Sequence, residues 1–384
     1  MLASDLRGWQ REALSLWQAA GHRGIVGAVT GGGKTIFALA SIQATRPETT
    51  LVVVPTIALQ DQWWEEAAAF FGVPLDDINI ITGRLRIVQG TINIAVLNTA
   101  ARLTPSWDEQ SMMLVIDECH KAASPKFSSI LSLPARYRMG LSATPERPYD
   151  EGLRTLLIPS LGEVIYQYSY GDALRDGVIV PFDLNNVVFE LEEDTRLAYE
   201  KLTRSIAKAI SQYGADSSEA IRLYLRRAQI LNSSPARVKL ALRLASKNRG
   251  RRILIFHENV EACTVIDEVL RTAGIRSGLY HSGLSGRSRT ETLSNFRKGE
   301  IEALVTCRAL DEGFNVPETE VGIIAASTAT RRQRIQRLGR VLRPASGKDR
   351  AAVYTLLATG PEMARLKSEE EELEGVANVT WSRA

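Results

Sequence analysis

The sequence predicts an α/β protein built from two parallel-sheet units in tandem, the second carrying a helical insertion. Three observations carry that reading. Short apolar runs alternate with segments of helical spacing, the pattern of a parallel sheet covered by helices on both faces. The pattern runs once and then restarts, dividing the 384 residues into units at 1–180 and 181–384, each within the usual size of about 100–200 residues for a domain. Between the two runs, residues 192–232 are polar, helical in spacing and interrupted by GADSS.

In the first unit, GIVGAV (24–29) reads as a strand, followed by TGGGKT and the helix-spaced IFALASIQA. LVVVP (51–55), INIAVLN (92–98), LVIDE (114–118) and YRMGLSATP (137–145) are further strands, and ALQDQWWEEAAAFF (58–71) is a helix. In the second unit, RRILIFHE (251–258), IEALVTC (301–307) and VGIIAAST (321–328) read as strands. VEACTVIDEVLRTAG (260–274) has helical spacing and closes on Gly274, the residue type that most readily ends a helix in the left-handed conformation.

Composition excludes several classes. Hydrophobic residues make up 45% and charged residues 24%, ordinary values for a globular protein. The three cysteines, Cys119, Cys263 and Cys307, form no CxxC, which argues against a disulfide framework or a zinc site. The start, MLASDLRGWQ, lacks the charged and apolar regions of a signal peptide. No apolar run reaches the ~18 residues of a membrane span, so a cytoplasmic protein is expected. The net charge of +3 is mild but unevenly spread. Residues 331–343 are rich in arginine without acids, whereas KSEEEELE (367–374) is predicted to be a solvated helix or tail.

AVTGGGKT (28–35) has the spacing of a phosphate loop, GxxxxGK(S/T), with Ala28 in place of the first glycine. It follows a strand and opens a helix, the context that gives the motif its meaning. From Thr30 through Gly31, Gly32 and Gly33 the backbone N–H groups can curl around a polyphosphate, aided by the helix N-terminus. Lys34 would reach the β and γ phosphates of ATP, and Thr35 would ligate Mg²⁺. Against that loop, LVIDECH (114–120) reads as a strand ending in a carboxylate pair. Asp117 would hold Mg²⁺ and Glu118 would orient and deprotonate the attacking water. A metal site of Cys119 and His120 is disfavoured, because no second cluster of ligands accompanies them. Cys119 is expected to be packing, and His120 to relay nucleotide state.

Beyond these two motifs, the sequence resembles helicase superfamily 2, and within it the XPB-like DNA helicases and translocases, from about residue 4 to about residue 360. LRGWQREAL (6–14) resembles the Q-motif region, TGGGKT motif I, VVVPTIALQDQW (52–63) motif Ia and LNTA (97–100) motif Ib. DECH is similar to motif II of the DExH type, and SATP (142–145) to motif III. VTCRALDEGFNVPE (305–318) resembles motif V, and QRLGRVLRP (336–344) motif VI. The resemblance implies two RecA-like lobes, a thumb-like role for the insertion at 192–232, and ATP hydrolysis in a cleft between the lobes coupled to movement on DNA.

It also implies roles for particular residues. Gln10 would read adenine with Arg7 nearby. Arg340 and Arg343 would act as arginine fingers, Gln336 would contact the same phosphate, and Arg337 would be mostly structural. Asp311 and Gly313 would line the nucleotide site. Ser142 and Thr144 would couple that site to the nucleic acid. Pro55, Thr56, Thr99 and His281 would hold phosphates without reading sequence. Arg222, Tyr224, Arg226 and Arg227 would let the thumb grip DNA by stacking and charge. Cys307 and Asn315 depart from the family pattern, where threonine and aspartate are common, and only part of the family's Arg-Glu-Asp run survives at 147–150. The chain starts at the Q-motif region, so the family's extra N-terminal recognition domain is not expected. The predicted activity is that of an ATP-dependent DNA helicase or duplex DNA translocase with Mg²⁺, working as a monomer. The alternatives are an RNA helicase, or a motor or scaffold subunit that needs a nuclease or repair partner.

Overall fold

The computed structural model describes residues 6–82, 87–105, 107–143, 152–307, 316, 319–326, 334, 337, 339, 341–370, 373 and 375–384. The chain divides into two compact units, the first running through Asp176 and the second beginning at Gly177.

In the first unit, α1 (Gly8–Ala19), β1 (Arg23–Ala28), α2 (Lys34–Thr45), β2 (Thr49–Val54) and α3 (Ile57–Phe71) follow in order. Next come β3 (Asn79–Ile81), β4 (Ile92–Val96), α4 (Leu97–Ala100), β5 (Met112–Asp117), β6 (Tyr137–Ser142), α5 (Ile158–Leu161), β7 (Val164–Tyr168) and α6 (Tyr170–Arg175). The strands form one sheet in the order β3-β4-β2-β5-β6-β1-β7, and every pairing in it is parallel. β2 and β5 are buried at every position, which is why they read as unbroken apolar runs rather than alternating ones. INIAVLN differs from expectation at its end: the strand stops at Val96, and Leu97–Ala100 turn into helix.

The second unit contains β8 (Phe182–Val188), α7 (Glu193–Tyr213), α8 (Ser218–Asn232), α9 (Pro235–Lys247), β9 (Ile253–His257) and α10 (Val260–Thr272). It continues with β10 (Ser277–Tyr280), α11 (Gly286–Lys298), β11 (Ala303–Cys307), β12 (Val321–Ile324), β13 (Ala351–Leu357), a helix at Gly360–Glu370 and β14 (Ala377–Arg383). Its sheet order is β10-β11-β9-β12-β13-β8-β14, again with parallel pairings throughout.

The insertion is the pair α7 and α8, and its root is tied by one carboxylate. Glu192 accepts from Ser234 Oγ at 2.9 Å and from Ala236 N at 2.7 Å, joining the point where the chain leaves the sheet to the point where it returns. The acidic run, expected as a solvated helix or tail, does begin in a helix at Gly360–Glu370, but its described glutamates are not simply solvated. Glu369 is 7% exposed and pairs with Arg334, and Glu370 accepts from Trp381 Nε1 of β14 at 3.0 Å.

Candidate active site

The phosphate loop joins β1 to α2, and two of its glycines are required by the backbone. Gly31 and Gly33 have φ of 86° and 97°, in the left-handed region that side chains disfavour. A Cβ at Gly33 would also lie 2.8 Å from Gln10 Nε2. α1 holds the loop from beneath. Arg7 Nη1 and Trp9 Nε1 donate to Gly32 O at 2.9 and 3.2 Å, and Gln10 Nε2 donates to Gly33 O at 2.9 Å. Gln10 Oε1 accepts from Arg7 N at 2.8 Å. Both polar ends of Gln10 are therefore engaged with protein, so in this arrangement it braces the loop rather than presenting a free amide to adenine. Lys34 Nζ donates to Ala28 O at 3.0 Å, folded over its own loop.

Trp9 stacks on Tyr168 with ring centroids 4.9 Å apart, forming an aromatic wall under the loop. Tyr168 OH donates to Asp176 Oδ2 at 2.8 Å.

β5 carries Asp117 to the C-terminal edge of the sheet. Its Oδ2 accepts from Trp63 Nε1 at 3.0 Å and its Oδ1 from Glu118 N at 3.0 Å. Burial and the Glu118 charge push the Asp117 carboxyl up to about 6, against the pull of the Lys34 ammonium and the Trp63 and Glu118 donors. Glu118 sits at φ 50°, a left-handed conformation that costs a non-glycine residue about 1–2 kcal/mol. Glu118 Oε2 lies 3.4 Å from His120 Nδ1, which in turn lies 3.4 Å from Ser142 Oγ at the end of β6. Cys119 belongs to the hydrophobic core, and among the described residues no three His, Cys, Asp or Glu side chains come together as a metal cluster.

Two buried polar atoms here, Thr30 Oγ1 and Glu118 Oε2, have no hydrogen-bond partner among the described residues. Leaving such an atom unpaired costs about 1–3 kcal/mol. A triphosphate with Mg²⁺ and its water shell offers the missing partners. The donor set also fits it: backbone N–H groups at Gly31, Gly33 and Lys34 (that of Gly32 donates to Val29 O at 3.0 Å), one ammonium, one hydroxyl at Thr35 and a carboxylate at Asp117.

The other expected residues are spread more widely. Thr56 caps α3, its hydroxyl accepting from Leu59 N at 3.3 Å, beside Pro55. Thr99 lies in α4. His281 is buried and accepts from Gly283 N at 3.2 Å, so it shapes its own turn. Cys307 ends β11 against the thiol of Cys263, whose hydrogen bond to it and whose burial push the Cys263 thiol far up. On α8, Arg222 pairs with Glu219. Arg227 lies over the rings of Tyr199 and Tyr224 at 5.2 and 5.4 Å. Arg226 is exposed. Arg337 is fully buried and donates to Glu258 Oε1 at 2.6 Å. Arg343 lies just past the helical residue Val341. Thr144, Asp311, Gly313, Gln336 and Arg340 lie outside the described residues.

Sequence reasoning missed Trp63 and Trp9 as parts of the site. Trp63 reads as one more apolar position of a helix. Trp9 carries a faint signal, an indole directly before the Q-motif glutamine.

Residues 3–147 match the family described as the res subunit of type III restriction enzymes, and residues 236–345 match the helicase conserved C-terminal domain. The chain is an XPB-like member of helicase superfamily 2. Among the relatives of this helicase is a DNA 3'-5' translocase XPB2 of Sulfurisphaera tokodaii, 28% identical over 92% of this chain and 82% of that protein. A DNA 3'-5' helicase XPB of Kineococcus radiotolerans is 27% identical over 93% of this chain. The chain spans 61% of that relative's length and 53% of a putative Rad25 helicase of Haloarcula marismortui. In fold, the helicase is similar to Saccharomyces cerevisiae Dbp5 bound to RNA and ADP BeF3 (TM-score 0.63, 14% identity, 98% of this chain and 89% of that one). It is likewise similar to the Pyrococcus furiosus Hef helicase domain (TM-score 0.59, 17% identity, 95% and 98%).

Proposed function

We propose that the protein is an ATP-dependent DNA helicase or duplex DNA translocase. The observation that carries the chemistry is the pairing of a glycine-rich phosphate loop with a buried Asp117-Glu118 edge, whose Glu118 Oε2 accepts no hydrogen bond among the described residues and has only the His120 Nδ1 approach at 3.4 Å. The DNA preference rests on the relatives, named as DNA 3'-5' translocase or helicase.

In this reading the phosphate loop binds the triphosphate, and Lys34 gives up Ala28 O to neutralise it. Thr35 and Asp117 would hold Mg²⁺, which when bound would screen the phosphate charge. Trp63 fixes the rotamer of Asp117. Glu118 Oε2 takes a proton from the attacking water, and His120 Nδ1 steadies the carboxylate and links it to Ser142. Arg343, with Arg340 and Gln336, supplies positive charge and a donor from the second unit to the transferring phosphate. Such cationic assistance is worth about 10³–10⁵ in rate. Pro55, Thr56 and Thr99 contact the DNA backbone, with Arg222, Tyr224, Arg226 and Arg227 of the hairpin.

A second reading, a motor subunit of a nuclease or repair assembly, is favoured by one surface. Ile221, Tyr224 and Leu225 of α8 are 48%, 39% and 68% exposed, and Val260 at the start of α10 is 41% exposed. They line a groove of about 870 Å³ between the hairpin and the body of the second unit.

The test is steady-state ATPase with no polynucleotide, single-stranded DNA, duplex DNA, forked DNA and RNA, with Glu118→Gln as control. DNA stimulation that Glu118→Gln abolishes, with ATP binding retained, is the expected result. Stimulation by RNA alone would replace the DNA reading, and silence until a partner protein is added would favour the subunit reading.

A further inference from the structure

The motif VI arginines need a mount, and the second unit holds their segment by charged side chains buried where apolar ones would be ordinary. Arg334, Arg337, Gly339 and Val341 lie in helical backbone. Arg334 and Arg337, one turn apart, share a face. Arg334 donates to Glu369 of the Gly360–Glu370 helix, with side-chain exposures of 4% and 8%. Arg337 donates to Glu258, directly after β9, with exposures of 0% and 2%. Arg337 also donates to Ala326 O at 3.3 Å, and its guanidinium lies 5.3 Å from the Phe256 ring centre. At the far end, the buried Lys348 ammonium donates to Val341 O and, at 2.6 Å, to Arg343 O. Three separate parts of the unit therefore grip one short segment, two on its inner face and one at its end, at Val341 and Arg343.

A buried ion pair is a poor source of stability, because desolvating two charges offsets most of their attraction, but its bonds are directional. Packing of Leu or Met against the same face would tolerate a rotation of the helix about its axis. A two-atom bond from Arg337 to Glu258 and Ala326 does not. We propose that the Glu258–Arg337 pair sets the rotation of the motif VI segment and so the aim of its arginines, making Glu258 a positioning residue for hydrolysis. The inference rests on the ATPase reading above, in which those arginines assist phosphoryl transfer. Glu258 would act without touching nucleotide, through the angle at which the arginines arrive.

The decisive variant replaces both partners, Glu258→Met with Arg337→Met, since exchanging a buried pair for apolar residues of similar volume is often neutral or stabilising. The double variant is expected to keep its melting temperature and its affinity for ADP. Its kcat should fall about 10²-fold, the effect of roughly 1 Å of misplacement at a reacting centre. Affinity for ADP-fluoroaluminate should fall by the same factor, because only the transition-state mimic needs the arginines in place. The milder Glu258→Gln, which keeps an acceptor oxygen, is read the same way if the double variant melts early, with a smaller loss of kcat expected. A folded double variant, or a folded Glu258→Gln, with kcat and fluoroaluminate affinity both within about threefold of the parent would overturn the proposal. Arg343→Ala separates the two levels. If it abolishes hydrolysis while the Glu258 variants do not, the positioning inference alone fails. If Arg343→Ala leaves hydrolysis intact, the underlying arginine reading fails and takes this inference with it.

Discussion

Trp63 shows what a single buried donor does for a carboxylate. Its indole N–H donates to Asp117 Oδ2 at 3.0 Å, and Asp117 is 6% exposed. A hydrogen bond to a charged group contributes about 1.5–3 kcal/mol. Trp63→Phe should therefore lower unfolding free energy by about that much in urea melts and raise the Mg²⁺ concentration needed for half-maximal hydrolysis. His257 makes a second residue-scale prediction. Burial, and then the nearby Arg237 charge, depress its imidazole to about 4, and Asn259 N donates to its Nδ1 at 3.1 Å, which favours the neutral ring. Unfolded, the ring titrates near its ordinary value of about 6.5. Between those pH values the unfolded chain takes up a proton that the folded chain refuses. The stabilisation is thus complete above about pH 6.5 and is lost as pH falls toward 4, by up to about 3 kcal/mol. In His257→Gln that component is gone, so stability measured from pH 7 to pH 4 should fall by correspondingly less than in the parent.

At the scale of elements, what was legible in the sequence was whatever is local. The phosphate loop is contiguous, and β2, β5, β9 and β11 are buried at every position, so each announces itself as an apolar run. β8 (FDLNNVV) does not, because its mid-strand asparagines, including the buried Asn186, break the run. β14 lies at the edge of the sheet beside β8 and alternates in exposure. β3 and β10 have three and four residues, too few for a period to show. The site partners that were missed lie far apart in sequence: Trp63 is 54 residues from Asp117, and Glu258 is 79 from Arg337. No local pattern marks a contact of that kind. The hairpin root is another such contact, since Glu192 closes a loop of more than forty residues onto Ser234 and Ala236. Glu192→Ala removes acceptors worth about 1 kcal/mol. Amide exchange at the first turns of α7 and α9 should then quicken about fivefold, while amides of the central strands β9 and β12 stay as protected as before.

For the whole molecule, the question is where affinity for an anionic polymer would arise. A net charge of +3 on 384 residues gives little long-range attraction, so binding must come from local contacts. Those expected on the first unit, at Pro55, Thr56 and Thr99, are neutral. Backbone and hydroxyl donors can hold a phosphate, but only cations displace condensed counterions and give binding its salt dependence. Among these expected contacts, the salt dependence therefore reports on the arginines. On the hairpin, Arg227 is held against Tyr199 and Tyr224 and donates to Thr203 Oγ1 at 3.1 Å, whereas Arg226 stands exposed on α8 and Arg222, exposed too, pairs with Glu219 of its own helix. Each phosphate neutralised on duplex DNA contributes about 0.9 to the slope of log K against log salt. If the hairpin grips duplex DNA, Arg222→Ala with Arg226→Ala should flatten that slope by about 2, because two phosphate contacts disappear. Basal ATPase without DNA should stay at the parent rate, since both arginines belong to the hairpin of the second unit and neither is a part of the phosphate loop or of motif VI. A slope that does not change would take α8 out of contact with DNA. The exposed Ile221, Tyr224 and Leu225 beside those arginines would then be the surface to explain, and their chemistry suits a protein partner better than a phosphate backbone.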